Sequence, residues 1–163
     1  MKKLSIIVVM AIASFSSYAQ SLFKSDIDLV QSIYGKSKAD LVKQYMNLSD
    51  TQETAFTKVY ENYEAARKTL GQTKLKLINE YAINYATLTD EKADELAKGT
   101  LKNNQDYEKL FTKTYGQAKK AIGAINAAKF IQLEVYLQTV IRNEIQESIP
   151  FIGEMDKGKV QLN

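Results

Sequence analysis

The segment that decides the fold is 49–85, which reads SDTQETAFTKVYENYEAARKTLGQTKLKLINEYAINY. Ser49 is followed three residues later by Gln52, a spacing typical of a capping box at the start of a helix. Apolar side chains then recur every three or four residues to the end of the segment. This period predicts one amphipathic helix from Ser49 to about Tyr85. Gly71 lies inside it and costs about 1 kcal/mol relative to alanine, so a bend there is an open alternative.

The segment before it, 25–46, carries apolar residues at helical spacings on either side of Gly35. This pattern predicts two short helices, or one helix that is broken near Gly35, with Ser37 as the cap of the second piece. Within the long helix, Glu64 and Lys68 stand four residues apart in the order that favours an ion pair.

The segment after it predicts two further helices. Thr89 would cap a third helix, whose apolar stripe thins at 99–105, so we expect that stretch to be exposed. The sequence 123–126, GAIN, interrupts the pattern. Asn126 would then cap a fourth helix, with Ile125 and Phe130 as a hydrophobic staple, and Pro150 would end it. Bends at two further glycines stay open: Gly99 and Gly116.

The sequence lacks the turn signals that separate strands and form hairpins, since it has one Pro and no Asn-Gly, Asp-Gly or Gly-Gly pair. We therefore predict an all-α fold, either an elongated antiparallel hairpin of long helices or a bundle of about four helices. The residues 20–152 would form a single helical domain, and 153–163 a flexible C-terminal tail.

Residues 1–19 have the pattern of a targeting segment. Two lysines precede an apolar run, and small residues flank Tyr18. This order is typical of a secretory signal peptide, with cleavage expected after Ala19. We expect a periplasmic protein, with the outer envelope or extracellular release as alternatives. Removing 1–19 lowers the net charge from +3 to +1 over 144 residues, because that segment holds two Lys and no acid. A nucleic-acid partner is therefore not expected, and neither is a membrane span.

The composition excludes most enzyme classes. The chain has no Cys and no His, which removes thiol and imidazole nucleophiles and bases and the usual zinc and di-iron sites. Carboxylate pairs such as Asp90 with Asp94 are read as complements to a helix dipole. We expect that the protein is not an enzyme and that it has no catalytic residue, no metal site and no cofactor.

Nine tyrosines remain after residue 19. Tyrosine suits half-buried positions and interfaces, so the pattern allows either packing at the rim of the core or a partner-binding face. Six of them are candidates for that face: Tyr60, Tyr63, Tyr81, Tyr85, Tyr107 and Tyr115. Basic residues could line its rim: Lys58, Arg67, Lys74, Lys113, Lys119 and Lys129.

Three short motifs carry a family resemblance. The sequence LSDTQ at 48–52 resembles the Leu-Thr-x-x-Gln motif found at helix starts in Spy/CpxP-type envelope proteins, with Ser in place of Thr. The sequence LTDEK at 88–92 is similar to a second copy, with Lys in place of Gln, and AAKFIQLE at 127–134 is similar to the opening of the last helix in some relatives. The cap residues of these starts are Leu48, Ser49, Gln52, Leu88, Thr89 and Asn126.

The resemblance implies a periplasmic, ATP-independent chaperone or stress adaptor that forms an elongated dimer and holds unfolded clients on a concave helical face. Metal-sensing relatives use His ligands, so that activity is not implied here. We expect the protein to bind unfolded or envelope polypeptides and to form a homodimer. The alternative is a structural or assembly protein whose helices serve oligomerisation without client binding.

Overall fold

The computed structural model describes residues 35–150 and residue 152. The predicted signal peptide, the segment 20–34 and the predicted tail 153–163 lie outside the described residues. Within them the chain forms α1 (Lys38–Met46), α2 (Asp50–Asn84), a short 3-10 helix (Tyr85–Thr87) and α3 (Asp90–Ser148), and no strand. The all-α prediction is confirmed. None of the described helices is both long enough and apolar enough to cross a membrane.

The start of α1 is set by local chemistry. The Ser37 hydroxyl accepts a hydrogen bond from the Asp40 amide at 3.2 Å, so Ser37 is the N-cap that the sequence predicts. Gly35, just before it, has a φ of +63°. At the other end, Asn47 caps the helix in the left-handed conformation, with a φ of +45°, which Asn tolerates better than most residues.

The long segment folds as one helix of 35 residues that passes through Gly71. The Ser49 hydroxyl accepts from the Gln52 amide at 3.4 Å, and the Gln52 side chain accepts from the Ser49 amide at 3.3 Å. This is a reciprocal capping box. At the start of α3, the Thr89 hydroxyl accepts from the Lys92 amide at 3.3 Å, and Pro150 follows the end of that helix.

The backbone leaves helical geometry inside α3 at Gly123, where φ is +83° and ψ is 163°. This residue divides α3 into an N-limb, 90–122, and a C-limb, 124–148. The Tyr63 ring lies 6.4 Å from the Phe111 ring and 5.3 Å from the Phe130 ring. A straight helix would separate Phe111 from Phe130 by about 28 Å, so the chain turns back at Gly123 and both limbs pack on α2.

The break is therefore where the sequence predicts it, but the predicted cap at Asn126 is wrong. Gly123 makes the turn alone, and Asn126 lies inside the helix that resumes after it. Its side-chain amide donates to the Ile122 carbonyl at 3.3 Å. Ile125 is 85% exposed, so it does not form the expected staple with Phe130. Only a residue without a Cβ reaches this backbone conformation easily, which makes a separate cap unnecessary.

Aromatic side chains join α2 to the C-limb. Phe130 is fully buried and meets Phe56 and Tyr63 edge to face, with ring centroids 5.0 and 5.3 Å apart. Each such pair contributes about 0.5–1.5 kcal/mol beyond the burial of its apolar area. Val42 and Met46 bring α1 into the same core, which continues through Leu137.

We predict that Gly123→Ala destabilises the fold by about 1–3 kcal/mol, because a Cβ disfavours this backbone conformation. Gly116→Ala is the matched control. Gly116 lies in the N-limb, and a Cβ there would meet no other atom. Alanine at this position should therefore increase the free energy of unfolding by as much as about 1 kcal/mol. Urea unfolding followed by circular dichroism measures both. Equal stability of the two variants would contradict this account of the turn.

Candidate functional site

An apolar groove of about 500 Å³ opens on the surface between α2, the N-limb and the end of the C-limb. Leu77, Ile78 and Tyr81 line it from α2, and Leu96 and Leu101 from the N-limb. The C-limb and the residues after it supply the third wall: Ile145, Ile149 and Ile152. A volume of this size lies within the range of ligand-binding sites, about 300–1,000 Å³.

Specific contacts hold the walls of the groove. A Cβ on Gly99 would lie 2.6 Å from the Leu77 side chain, so α2 and the N-limb approach closely there. Asn103 is buried, and its amide donates to the Leu70 carbonyl at 3.0 Å. Tyr81 donates its hydroxyl hydrogen to the Pro150 carbonyl at 2.9 Å, which ties the chain after the C-limb to α2.

The groove carries charge of one sign. Of the described residues that line it, none is acidic, while Lys74 and Arg142 are basic. Asn104 and Gln146 add amide groups at its edge. An apolar floor with basic and amide edges suits an amphipathic ligand that presents apolar side chains and negative charge.

A buried charged cluster lies where α1, α2 and the C-limb meet, at positions that do not line the groove. The Lys38 ammonium donates to Glu64 at 2.5 Å and to Glu134 at 2.8 Å. The Tyr63 hydroxyl also donates to Glu134, at 2.6 Å, and the Arg67 guanidinium donates to Glu64 at 3.1 Å. Glu134 is fully buried, and its Oε1 has no hydrogen-bond partner among the described residues.

Burial is the largest single influence on the pKa values of Glu134, Glu64 and Tyr63. It raises the pKa of Glu134 above the ordinary 4.5, against the opposing effects of Lys38 and Tyr63. Burial also acts to raise the pKa of Glu64, but Lys38 and Arg67 together outweigh it and lower the value. The pKa of Tyr63 is raised, first by burial and then by the charge of Glu134. The Tyr63 hydroxyl therefore keeps its proton and donates a hydrogen bond to Glu134.

We call this cluster of five side chains the clamp, because it joins α1 to α2 and the C-limb: Lys38, Tyr63, Glu64, Arg67 and Glu134. Lys38 has a relative side-chain exposure of 6% and Glu134 of 0%, so the side chains are closed to a substrate in this conformation. Removing one partner of a buried ion pair leaves the other charge uncompensated. The cluster consequently fixes α1 at one position along α2 and the C-limb.

The structure does not bring the six predicted tyrosines onto one face. Tyr63 and Tyr107 are buried in the core, with 1% and 6% exposure, so the prediction of an open face is wrong for these two. Tyr60 packs half-buried against Phe130. The remaining positions are separate: Tyr81 lines the groove, Tyr85 packs on Tyr81 at 5.6 Å, and Tyr115 is 36% exposed on the N-limb.

The predicted cap residues have different surroundings. Ser49, Gln52 and Thr89 make the capping bonds described above, while Leu48 packs against the core and Leu88 lines the groove. Among the predicted basic rim residues, Lys74 lines the groove.

Two basic rim residues lie elsewhere. Arg67 is 1% exposed, which overturns its placement at a rim. Lys129 donates to the Met46 carbonyl at 3.2 Å. Glu64 pairs with Lys38 and Arg67 in place of the predicted partner, Lys68.

The clamp was missed by the sequence analysis, and so were Arg142, Asn104 and Gln146 of the groove. For the clamp, the sequence does hold a signal. Glu134 stands four residues after Phe130 and three before Leu137, in phase with the apolar stripe of the C-limb. Arg67 is similarly in phase between Tyr63 and Leu70. A charged residue in phase with an apolar stripe is buried, and a buried charge needs a partner.

Across residues 35–150 and 152, no group of three or more Asp or Glu side chains is placed to hold a metal ion. No protein-family model, no curated protein and no solved structure matches the chain. The similarity to Spy/CpxP-type proteins therefore stays a prediction from three short motifs.

We predict that Lys38→Met destabilises the fold by about 3 kcal/mol, because it leaves Glu134 buried without its cation. Lys98→Met is the matched control. Lys98 pairs with Asp94 on the surface, with exposures of 74% and 60%, and such pairs contribute little. Urea unfolding of both variants measures the difference.

The double variant Lys38→Met with Glu134→Leu separates loss of the charge pair from loss of packing. Replacing both partners of a buried pair by apolar groups is often neutral or stabilising, so we expect most of the lost stability to return. A double variant less stable than Lys38→Met alone would contradict the clamp.

Glu134 also predicts a pH dependence. Its folded pKa is raised, so between 4.5 and that raised value the folded state binds more protons than the unfolded state. The native protein therefore loses stability, relative to Glu134→Gln, as pH rises through this window. Urea unfolding of both proteins from pH 4 upward tests the sign. A stability difference that moves the opposite way with pH would contradict the assignment.

Proposed function

We propose that this is an exported envelope protein that binds other polypeptides through the apolar groove, in a chaperone-like or stress-adaptor role without nucleotide. The observation that carries the proposal is the groove itself, about 500 Å³, open to the surface and apolar over most of its lining. Open apolar surface of this kind is typical of interaction sites. Amphipathic helices bind such grooves through residues spaced three and four apart.

Export and assembly belong to the same proposal. The leader-like order of 1–19 supports delivery to the periplasm. A bundle of about four helices and an elongated homodimer are the architecture that we propose. The motifs that resemble Spy/CpxP-type proteins support a client-binding role, because that family holds unfolded clients without ATP.

A second candidate is an assembly protein that oligomerises and binds no client. It is favoured by apolar side chains that stay exposed outside the groove, among them Ile83 at 72% and Ile125 at 85%. Size-exclusion chromatography with light scattering separates the two functions. A stable large oligomer without client binding would favour assembly.

We predict that the protein suppresses aggregation of the reduced insulin B chain, and that Leu101→Asp weakens this suppression. Leu101 lines the groove and is 62% exposed, so a charge there adds a desolvation penalty to client binding with little effect on the core. Ile125→Asp is the matched control, since Ile125 is more exposed than Leu101 and lies outside the groove lining. Light scattering at equimolar ratio measures suppression.

The two variants make the test specific to the groove. Suppression that falls for Leu101→Asp and persists for Ile125→Asp supports the proposal. No suppression by the native protein at equimolar or higher ratio would overturn client binding, and equal loss in both variants would place binding elsewhere on the surface.

A further inference from the structure

Two hydrogen bonds mark the two ends of the groove. At the inner end, toward the middle of the bundle, the Asn103 amide donates to the Leu70 carbonyl at 3.0 Å. At the outer end, the Tyr81 hydroxyl donates to the Pro150 carbonyl at 2.9 Å. Leu70 and Tyr81 lie on the same helix, so the two ends are about 16 Å apart at 1.5 Å per residue.

Arg142 lies near the inner end. On the C-limb it stands halfway between Glu134, which accepts from Tyr63, and Pro150, which accepts from Tyr81. The corresponding point on α2 is halfway between the two tyrosines, at position 72. That position is about 3 Å along the helix from the inner-end level of residue 70.

The polarity of the groove therefore changes along its length. Basic and amide side chains gather at the inner end: Lys74, Asn103, Asn104 and Arg142. At the outer end the described lining is apolar apart from the hydroxyl of Tyr81, which is already bonded to Pro150: Leu88, Ala93, Ile149 and Ile152. Such a site suits a ligand with an anionic head at one end and an apolar chain behind it.

This polarity distinguishes a head-and-tail ligand from an amphipathic helix, whose charged side runs parallel to its axis. Arg142 is exposed at the groove, and the planar guanidinium can donate two parallel hydrogen bonds to a carboxylate. No described residue of the lining is acidic, so a carboxylate head meets no like charge there. An extended alkyl chain of about twelve carbons matches the length between the two ends, about 16 Å.

We propose that the groove is a binding site for a fatty acid, with the carboxylate at Arg142 and the alkyl chain running outward to Ile149. The proposal goes beyond client binding and does not depend on it, because it assigns the groove a small ligand of its own. Both occupants cover Leu77 and Ile78 on the floor of the groove. A bound fatty acid consequently excludes a client and regulates its binding.

Calorimetric titration with sodium dodecanoate below its micelle concentration tests the site. The protein is expressed with residues 1–19 in place. We expect one saturable site per chain. Dodecyltrimethylammonium, which has the same chain and a cationic head, should bind at least about tenfold more weakly. Octanoate should also bind at least about tenfold more weakly, because its shorter chain removes less apolar surface from water. No saturable binding of dodecanoate, or equal affinity for the cation, would overturn the proposal.

Matched variants test the placement of the head. Arg142→Gln should weaken dodecanoate binding about tenfold, since it removes a charge-assisted hydrogen bond, and Arg142→Lys should restore part of the affinity. Lys58→Gln is the control, because it removes the same charge from a side chain that is 79% exposed and outside the lining. Equal affinities in Arg142→Gln and Lys58→Gln would overturn the head placement.

A second pair of variants tests the placement of the chain. Ala97 is exposed and lines the groove between its ends, so Ala97→Leu fills space that the alkyl chain needs and should weaken binding at least about tenfold. Ala65→Leu makes the same change at an exposed position of α2 outside the lining and should leave the affinity unchanged. Equal affinities in these two variants, with helix content checked by circular dichroism, would overturn the chain placement.

Client binding provides the arm that separates this proposal from the proposed function. Dodecanoate at about ten times its Kd should raise the protein concentration needed to suppress insulin B-chain aggregation about tenfold, and less for Arg142→Gln. Suppression that bound dodecanoate leaves unchanged would overturn the exclusion. Absence of dodecanoate binding, alongside suppression that Leu101→Asp still weakens, would overturn the fatty-acid site and leave client binding standing. Dodecanoate binding by a protein that suppresses no aggregation would overturn client binding alone.

Discussion

The position of α1 depends on the contact between the Lys38 ammonium and the carboxylates of Glu64 and Glu134. A buried charge is stable only where its partner is, so α1 cannot slide along the bundle without separating the pair. The apolar contacts of Val42 and Met46 with the core follow from that position. The groove lies farther along the bundle, and no residue of α1 or of the clamp lines it.

The turn at Gly123 provides the second constraint. It brings Phe111 and Phe130 to the same tyrosine, so a single helix of the chain, α2, serves as the support for both limbs. Aromatic packing is dense at this end, around Phe56 and Phe130. At the other end the N-limb presents small residues such as Ala93 and Ala97. On this wall the alanines lie among the larger Leu96 and Leu101, and leave space between them.

The helices could be predicted from the sequence because capping and period are local. Ser37, Ser49 and Thr89 each place a hydroxyl where the first free amides of a helix need an acceptor. The groove could not be predicted, since it depends on how three helical segments that are distant in sequence lie together. Asn126 shows the limit of the local argument. It has the side chain of a good cap, yet the conformation of Gly123 decides where the helix resumes.

The tyrosines and the clamp show the same limit for side chains. The spacing of apolar residues predicts that Tyr63 and Tyr81 lie on the apolar side of α2. It does not distinguish a position in the core from one in the groove. Tyr63 is inside because Glu134 offers its hydroxyl a partner from a helix that is 71 positions away. The burial of Arg67 and Glu134 could be predicted only from their phase with an apolar stripe. Their partners could not be predicted, because tertiary packing determines them.

Hydrogen exchange of the full chain, read by mass spectrometry with and without a permanently unfolded client, tests most directly whether the groove binds polypeptides. If the groove binds polypeptides, the client slows exchange at 74–81, 93–104 and 142–149, the three walls of the groove, and leaves the clamp region at 60–67 unchanged. Protection confined to the region around Ile125, or no change in exchange at saturating client, would contradict it.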